Sequence, residues 1–474
     1  MSFVSWVERH VRTILTVAVA LAVAGVVAAM TLPVGLFPRT TFPRVKITLN
    51  AGDRPAEQME LLVSRPVAEA IHVVPGLRRV RSVTSRGSAE VTADFGWGRD
   101  MIQTTQEVDS AIAQVLPSLP ADTTYTVRRM DVTVYPVIAY GITSDSLPQS
   151  ALREIARYQL VPLLSSIPGV ARVGVQGGAE AEVHVLIDPH RLHAAGVSVA
   201  ELTGALAKSN VLKVVGHLAD HHKLYLVVAT DVLHRLDQVR NVIVRAAPRG
   251  VVRVGDVTEV SMGTVPHWTV VTEDGKPAVL LNVYEQPSGN VVQIAKQVRQ
   301  VLADFQMPPG VKVARWYDQS RLVTESEGSV RDAVVIGLLL AGLVMLLFLR
   351  SWRVTLVAII VVPVTLLITV LVLSVMGLSF NIMTLGGIAA AVGLLIDDVI
   401  VMIEHIARRA GAADRTEGEP AMARGRAGVL PAAREFLSPQ SGSSLATIIV
   451  FVPLSFLSGV TGAFAKALSV TMAA

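Results

Sequence analysis

Residues 386–409 have the sequence GGIAAAVGLLIDDVIVMIEHIARR, which places two adjacent carboxylates, Asp397 and Asp398, inside a long apolar helix. Starting near Phe380, about 20 residues at 1.5 Å per residue cross the roughly 30 Å hydrocarbon layer of a membrane. Both aspartates would then lie within that layer. Carboxylates at membrane depth are costly, and they usually mark ion paths or proton relays. These two residues are therefore the first candidates for function.

An alternative is that the helix ends here and the aspartates reach the membrane surface. The apolar run continues through Val399–Ile403 before any basic residue, and this favours the buried position. Two neighbouring carboxylates repel each other in a low dielectric. We therefore expect at least one of them to hold a proton and to exchange it near neutral pH.

The segment FNIMTLGGIAAAVGLLIDDVIVMIEH, residues 380–405, resembles the fourth transmembrane helix of the resistance-nodulation-division (RND) efflux pumps. Its GLLIDD core is similar to the drug-efflux branch, in which both acidic positions are Asp, whereas the heavy-metal branch typically keeps one. The resemblance implies that Asp397 and Asp398 carry protons. It also implies a partner Lys on a later helix that this sequence does not include.

The composition excludes several classes of protein. The chain is 51% hydrophobic and only 17% charged, which is too apolar for an ordinary soluble protein of 474 residues. The net charge of +4 does not indicate nucleic-acid binding, because the arginines flank apolar runs and form no aromatic-interleaved stripe. With no cysteine, phosphate loop, HExxH motif or GxSxG elbow, the sequence predicts neither a cofactor nor an enzyme.

The apolar runs predict an α-helical bundle of five complete membrane spans and the start of a sixth. The first span lies in residues 1–32, where Arg9 and Arg12 predict a cytoplasmic start; a cleaved signal peptide is the alternative. The others lie in residues 329–474. Besides the aspartate helix they are Ala333–Leu349, Val354–Leu378, Leu445–Leu457 and a sixth beginning at Lys466. Residues 404–439 are predicted to be a mobile cytoplasmic loop.

Nearly all of the segment between the first two spans alternates strand and helix patterns, which predicts a large external α+β domain of two ferredoxin-like modules. The first module covers residues 33–132. The second begins with a strand at Val134–Ile142 and covers residues 133–187 and 272–328, with an insertion at 188–271. The motif Val74–Val80 recurs at Ile167–Val173, so the modules form an internal repeat.

This arrangement resembles the RND periplasmic porter, in which a docking subdomain is inserted into the second module. The heptapeptide LPVGLFP, Leu32–Pro38, is similar to the family's connection into that domain. The resemblance implies the bacterial inner membrane, a homotrimer, a periplasmic adaptor and an outer-membrane channel. In family trimers a loop of the docking insertion enters the neighbouring subunit, and the matching stretch here, about Leu212–Val228, is short.

The resemblance also points to a substrate pocket on the strands of the second module. The nearest matches to its aromatic side chains are Tyr135 and Gln176, of which the second departs from the aromatic pattern. Packing within the sheet is the alternative role for Tyr135.

The motif HLADHH contains His217, His221 and His222. If the segment is helical, the spacing of His217 and His221 would suit a divalent metal ion. A solvated polar loop is the alternative, and no metal site is predicted in preference to it.

Three classes of function remain open. The first is a proton-driven exporter of hydrophobic or amphiphilic compounds such as drugs, detergents or lipids, with heavy-metal cations as the alternative cargo. The second is a proton-coupled exporter of polypeptide or lipid. The third is a non-transporting remnant or assembly element. The resemblance covers the first of two similar halves, so we expect a truncated half that does not transport by itself.

Overall fold

The computed structural model describes residues 6–7, 9–38, 40–221, 223–230, 232–247, 250–266, 269–287, 289–413 and 421–474. The first long helix, α1, covers Val11–Thr31 and is long and apolar enough to cross a membrane. It ends at Leu32, after which residues 33–36, here called the strap, lead into the α/β region.

The first module is a four-stranded antiparallel sheet covered on one face by helices. Its elements are β1 (Thr41–Asn50), α2 (residues 56–71, with a π-helical middle), β2 (Leu77–Ser85), β3 (Ser88–Phe95), α3 (Met101–Val115) and β4 (Thr124–Asp131). The strand order is β2-β3-β1-β4. Alternate β1 residues Val45, Ile47 and Leu49 are fully buried against the helices, so the intervening residues lie on a helix-free face.

The second module begins with β5 (Ile138–Ser144), α4 (residues 149–165) and β6 (Val170–Gly177). The prediction that the first strand starts at Val134 is wrong, because Val132–Val134 forms a 3-10 turn. Pro136 follows that turn and has no N–H to donate to a ladder, so pairing starts two residues later.

An inserted subdomain follows. Its elements are β7 (Ala181–Ile187), α5 (Pro189–Ala194), α6 (Val199–Ser209), β8 (Leu212–Asp220), β9 (Lys223–Thr230), α7 (Leu236–Arg240), β10 (Ile243–Ala247), β11 (Gly250–Arg253), α8 (Val254–Val257) and β12 (Thr258–Thr264). A strand at Val183–Ile187 was predicted to belong to the second module, and β7 contains it. It pairs instead with β12, and Val185 packs against the core of the insertion.

The chain then returns to the second module through a small hairpin. The remaining elements are β13 (Thr272–Glu273), β14 (Lys276–Pro277), β15 (Val279–Glu285), α9 (Val291–Asp304) and β16 (Val311–Asp318). The order β16-β5-β15-β6 is that of the first sheet, with strands four, one, three and two side by side. Both modules therefore have the predicted ferredoxin-like topology.

The membrane helices are α10 (Gln319–Leu349), α11 (Trp352–Val375), α12 (Ile382–Ala413) and α13 (Ala421–Phe451), followed by a 3-10 turn at Val452–Phe456 and by α14 (Gly459–Ala473). With α1, helices α10 to α13 make five candidate spans among the described residues, and the predicted bundle is confirmed.

The prediction of a loop at residues 404–439 is wrong for most of its length. Helix α12 continues to Ala413 and α13 begins at Ala421; residues 414–420 lie outside the described part of the chain. Pro431 and Pro439 lie inside α13. Composition misled the prediction, because proline is tolerated within long membrane helices whose freed carbonyls find other partners.

Candidate functional site

The N-terminal end of the aspartate helix α12 is fixed by a cluster of buried polar side chains. The Asn381 side-chain oxygen accepts the backbone N–H groups of Met383 at 2.9 Å and Thr384 at 3.1 Å. The Thr384 hydroxyl donates to the Ser379 carbonyl at 3.0 Å. An Asn that caps the first turn in this way sets the exact start of a helix. Asp397 then lies about 22 Å further along the helix axis.

Asp398 lines a cavity of about 250 Å³ between four helices, α11 to α14. The cavity wall contains several hydroxyl groups among its apolar residues. They are Thr365, Thr369, Ser444, Thr447 and Thr471. Hydroxyl groups both donate and accept hydrogen bonds, so this cavity can hold water beside the carboxylate. Asp398 therefore lies beside a cavity with room for water.

Asp397 is exposed and does not line that cavity. Successive helical residues are turned by about 100° around the axis, so adjacent aspartates point to different sides. Within the described part of the chain, neither aspartate has a hydrogen-bond or ion-pair partner. The structure thus brings only Asp398 together with a candidate water path.

The strap connects the start of α12 to the second module through backbone hydrogen bonds. Gly35 N–H donates to the Phe380 carbonyl at 2.9 Å, and Ile382 N–H donates to the Leu36 carbonyl at 3.2 Å. At the other side, Val291 N–H, at the first turn of α9, donates to the Val34 carbonyl at 3.1 Å. A shift of the aspartate helix would therefore pull directly on the second module.

A cleft of about 720 Å³ lies between the helix-free faces of the two module sheets. The first module supplies residues of β1 and β4, and the second supplies Arg172 from β6. Val134, on the connection between the modules, forms one wall. This cleft is larger than the cavity beside Asp398 and is the natural place to examine the predicted substrate residues.

The predicted residues Tyr135 and Gln176 do not meet in one described pocket. Tyr135 is 58% exposed and follows Val134 at the edge of the cleft. Gln176 is exposed on the helix-free face of the second sheet, where it pairs with Leu280 of β15. Gln176 shares its strand and face with Arg172, but only Arg172 lines the cleft.

Two polar residues on the same face, each with a buried side-chain oxygen, were missed by the sequence analysis. Glu273 of the small hairpin lies over Gly141, where an added methyl group would overlap its carboxylate. One carboxylate oxygen of Glu273 and the side-chain oxygen of Asn282 are buried, and neither has a hydrogen-bond partner among the residues that the structure describes. Burial, and secondarily the charge of Asp274, raises the pKa of Glu273. The Asp274-Gly275 dipeptide, which is typical of a hairpin turn, is a sequence signal that could have identified this element.

The helical pair of histidines considered for a metal ion is not formed. His217 lies on strand β8 and His221 in the turn that follows, with φ of 44°, while His222 lies outside the described residues. The i, i+4 spacing places two side chains on one face only in a helix, and His217 and His221 do not belong to a helix. Across the described ranges, no group of three or more potential ligands that could hold a metal ion is found.

The helix bundle with its aspartate pair and the duplicated ferredoxin-like modules define a membrane permease of the RND class. Comparison with known proteins agrees: the model of the AcrB/AcrD/AcrF family matches residues 3–474. The chain belongs to the AcrB/AcrD/AcrF family, whose members are efflux transporters and not enzymes.

Similar curated proteins carry the name multidrug resistance protein MdtC. The relative from Escherichia coli strain SE11 is 30% identical over 99% of this chain and 45% of its own length. The relative from Escherichia fergusonii is 29% identical over the same shares. The chain therefore spans about half the length of the curated relatives it matches. Members of the family act with adaptor and outer-membrane channel partners.

Proposed function

We propose that this chain forms part of a proton-driven exporter of hydrophobic or amphiphilic compounds, with Asp397 and Asp398 as proton carriers. The observation that carries the proposal is the position of Asp398. It lines a hydroxyl-bearing cavity about halfway along a membrane helix whose N-terminal end is hydrogen-bonded through the strap to the second module. The energy source would be the proton gradient.

The coupling step follows from the same contacts. Adding a proton to Asp398 removes a charge from a cavity of low dielectric, which changes the free energy of packing between α12 and its neighbours. Movement of α12 would then pass through the strap to α9. A bundle with two packing arrangements could in this way alternate the access of the cleft.

Asp397 has a different role in the proposal. Because its side of α12 is not covered by the described helices, we infer that it faces a cationic side chain supplied by a further segment or another chain. A carboxylate paired with a cation at membrane depth avoids the cost of an isolated charge. Protonation of Asp397 would break that ion pair and would thereby add to the coupling between proton binding and movement of α12.

The test uses a full-length version of the transporter with Asp397→Asn or Asp398→Asn. Asn keeps the shape of the side chain but cannot release a proton, so export of an amphiphilic dye and its coupled proton flux should both fall to background. Asp332→Asn is the matched control, because that exposed carboxylate lies on α10 beside Arg331, just before the apolar run that begins at Ala333. Parental export by either helix variant would refute the assignment.

The name multidrug resistance protein MdtC, carried by the relatives, favours organic cargo over heavy-metal cations. The dye assay should be repeated with divalent metal salts and in liposomes containing the 474-residue chain alone. Gradient-dependent metal export would favour the metal alternative. Absence of any export by the half-length chain, together with export by the full-length version, would fit our expectation that one half is insufficient.

For substrate contact we propose the helix-free face of the second module, which carries Gln176, together with Tyr135 at the edge of the cleft. Glu273 and Asn282 belong to the same face and offer buried oxygens that have no hydrogen-bond partner among the described residues. Such oxygens favour a ligand that donates hydrogen bonds. Alanine at Gln176 should alter the range of exported dyes more than the overall rate.

We further propose a homotrimer in the bacterial inner membrane, with the modules in the periplasm and with adaptor and channel partners. The β8–β9 hairpin supports self-association, because Leu218, Leu224 and Leu226 are each more than 60% exposed on it. Apolar side chains clustered on one element favour a protein partner. Leu226→Asp should reduce the trimer fraction in native mass spectra, whereas Leu61→Asp, at an exposed site on α2, should not.

The domain limits remain a proposal as well. We propose the first membrane helix at 1–32, the first module at 33–132 and the membrane region at 329–474. The pairing of β7 with β12 favours a docking-type insertion that begins near Ala181 and not at 188. The second module would then comprise residues 133–180 and 272–328.

A further inference from the structure

The cleft between the two modules has a strongly basic lining. On the first sheet, Lys46 of β1 and Arg128 of β4 are direct cross-strand partners on the helix-free face. Two like charges in this relation repel each other. A carboxylate oxygen of Glu90 lies 2.7 Å from Nζ of Lys46 and offsets its charge. Arg128 has no ion-pair partner among the described residues.

The single acidic residue of the lining is already engaged. Asp131 lies 3.6 Å from Arg129, measured from carboxylate oxygen to guanidinium nitrogen, and also accepts the Thr133 N–H at 2.9 Å. The Nε atom of Arg129 is buried and has no hydrogen-bond partner within the described part of the chain. An unsatisfied guanidinium N–H is costly unless a ligand acceptor meets it.

Arg172 brings a further positive charge from the second sheet. Its guanidinium carbon lies 3.6 Å from the centroid of the Tyr284 ring. This cation–π contact fixes the orientation of the Arg172 guanidinium plane and leaves the N–H groups at its edge available for an anion. No carboxylate pairs with Arg172 in the described part of the chain.

We propose that this cleft binds the anionic group of an amphiphile, a carboxylate, sulfonate or phosphate, between Arg128 and Arg172. Guanidinium groups favour such planar or multidentate anions. Met130 and Val134 in the same lining would contact the apolar part of the ligand. The inference names a substrate class for the exporter and so rests on the proposed function. The anion could belong to a free amphiphile or to a membrane lipid.

The test is direct binding of dansylaminoundecanoate, a fluorescent fatty acid analogue, to the 474-residue chain in phosphatidylcholine nanodiscs. Its methyl ester has the same tail without the charge, and empty nanodiscs give the background. We expect the acid to bind about tenfold more tightly than the ester, and this preference to weaken with salt.

Arg128→Ala combined with Arg172→Ala should abolish the preference, whereas the corresponding double Lys variant should keep part of it. Arg65→Ala combined with Arg191→Ala is the matched control. It removes the same charge from exposed positions on α2 and α5, outside the cleft lining. Equal binding of acid and ester by the parent chain, or an unchanged preference in the cleft variant, would overturn the proposal.

Two further measurements identify the source of the anionic ligand and distinguish this proposal from the exporter hypothesis. Competition by added phosphatidylglycerol would identify a lipid as the natural ligand, and its absence would identify a free amphiphile; both outcomes support an anion site. Binding requires no proton gradient, so Asp398→Asn should retain the preference for the acid. Failure of the exporter hypothesis would therefore leave this result unchanged.

Discussion

The backbone N–H of Phe380 donates to the Pro33 carbonyl at 3.0 Å, which joins the residue before the cap of α12 to the chain just beyond α1. Val34 and Phe380 thereby form a short parallel bridge outside the main sheets. Leu32, Leu36 and Asn381 around it are all at most 5% exposed. Buried backbone bonds of this kind are rigid, so the strap transmits displacement and does not absorb it.

Gly35→Pro should weaken this connection, because proline has no N–H to donate to the Phe380 carbonyl. We expect faster hydrogen exchange at residues 379–384 and a loss of dye export by the full-length version. Gly35→Ala is the matched control, since the nearest atom to an added Cβ would be 3.8 Å away. If exchange in the proline variant equals that of the alanine variant, the strap does not hold the helix start.

Adjacent glycines on α12 should respond in opposite ways to alanine. A Cβ on Gly387 would lie 2.9 Å from the Thr471 Cβ of α14, whereas one on Gly386 would meet nothing within 4 Å. Gly387→Ala should destabilise the chain by about 1–3 kcal/mol through overpacking. Gly386→Ala should be neutral or stabilising by up to about 1 kcal/mol. The measurement is the thermal unfolding midpoint of both variants in the same detergent. Equal shifts of the two midpoints from that of the parent would show that α14 does not pack closely against Gly387.

Local patterns were sufficient to predict most elements of the two modules. Residues such as Val45, Ile47 and Leu49 alternate with polar neighbours, and this period of two indicates a half-buried strand. Partners distant in sequence were not predictable in the same way. Nothing within Ala181–Ile187 indicates that it pairs with β12 more than 70 residues later, because pairing depends on how the intervening chain folds.

The candidate site was predictable only in part. Asp397 and Asp398 could be found because carboxylates are rare in an apolar run, but no local pattern indicates that Asp398 lines a cavity and Asp397 does not. The basic cleft was missed for a related reason. Lys46 and Arg172 belong to different modules, and each is an ordinary surface residue until the sheets face each other.

The proposed topology predicts which residues an impermeant thiol reagent reaches from outside the cell. The chain has no cysteine, so single substitutions can be labelled without background. A probe at Asp145, which is exposed near the β5–α4 connection, should react in intact spheroplasts. A probe at Ser351, in the basic turn between α10 and α11, should react only after lysis. The opposite labelling pattern would show that the proposed membrane orientation is wrong.

Glu273 should make the stability of the chain depend on pH. Its pKa in the folded chain is raised above the ordinary value of 4.5, mainly by burial. Between that value and the raised one, the folded state holds more protons than the unfolded state, so stability falls as pH rises.

Glu273→Gln removes this titration. At about pH 4 the variant and parent should unfold at similar temperatures, and above the raised pKa the variant should be the more stable. Glu259→Gln, at an exposed position on β12, is the control. The measurement is the thermal midpoint of each protein across this pH range. A difference between the Glu273 variant and the parent that stays constant with pH would mean that the carboxylate is solvated and not buried over Gly141.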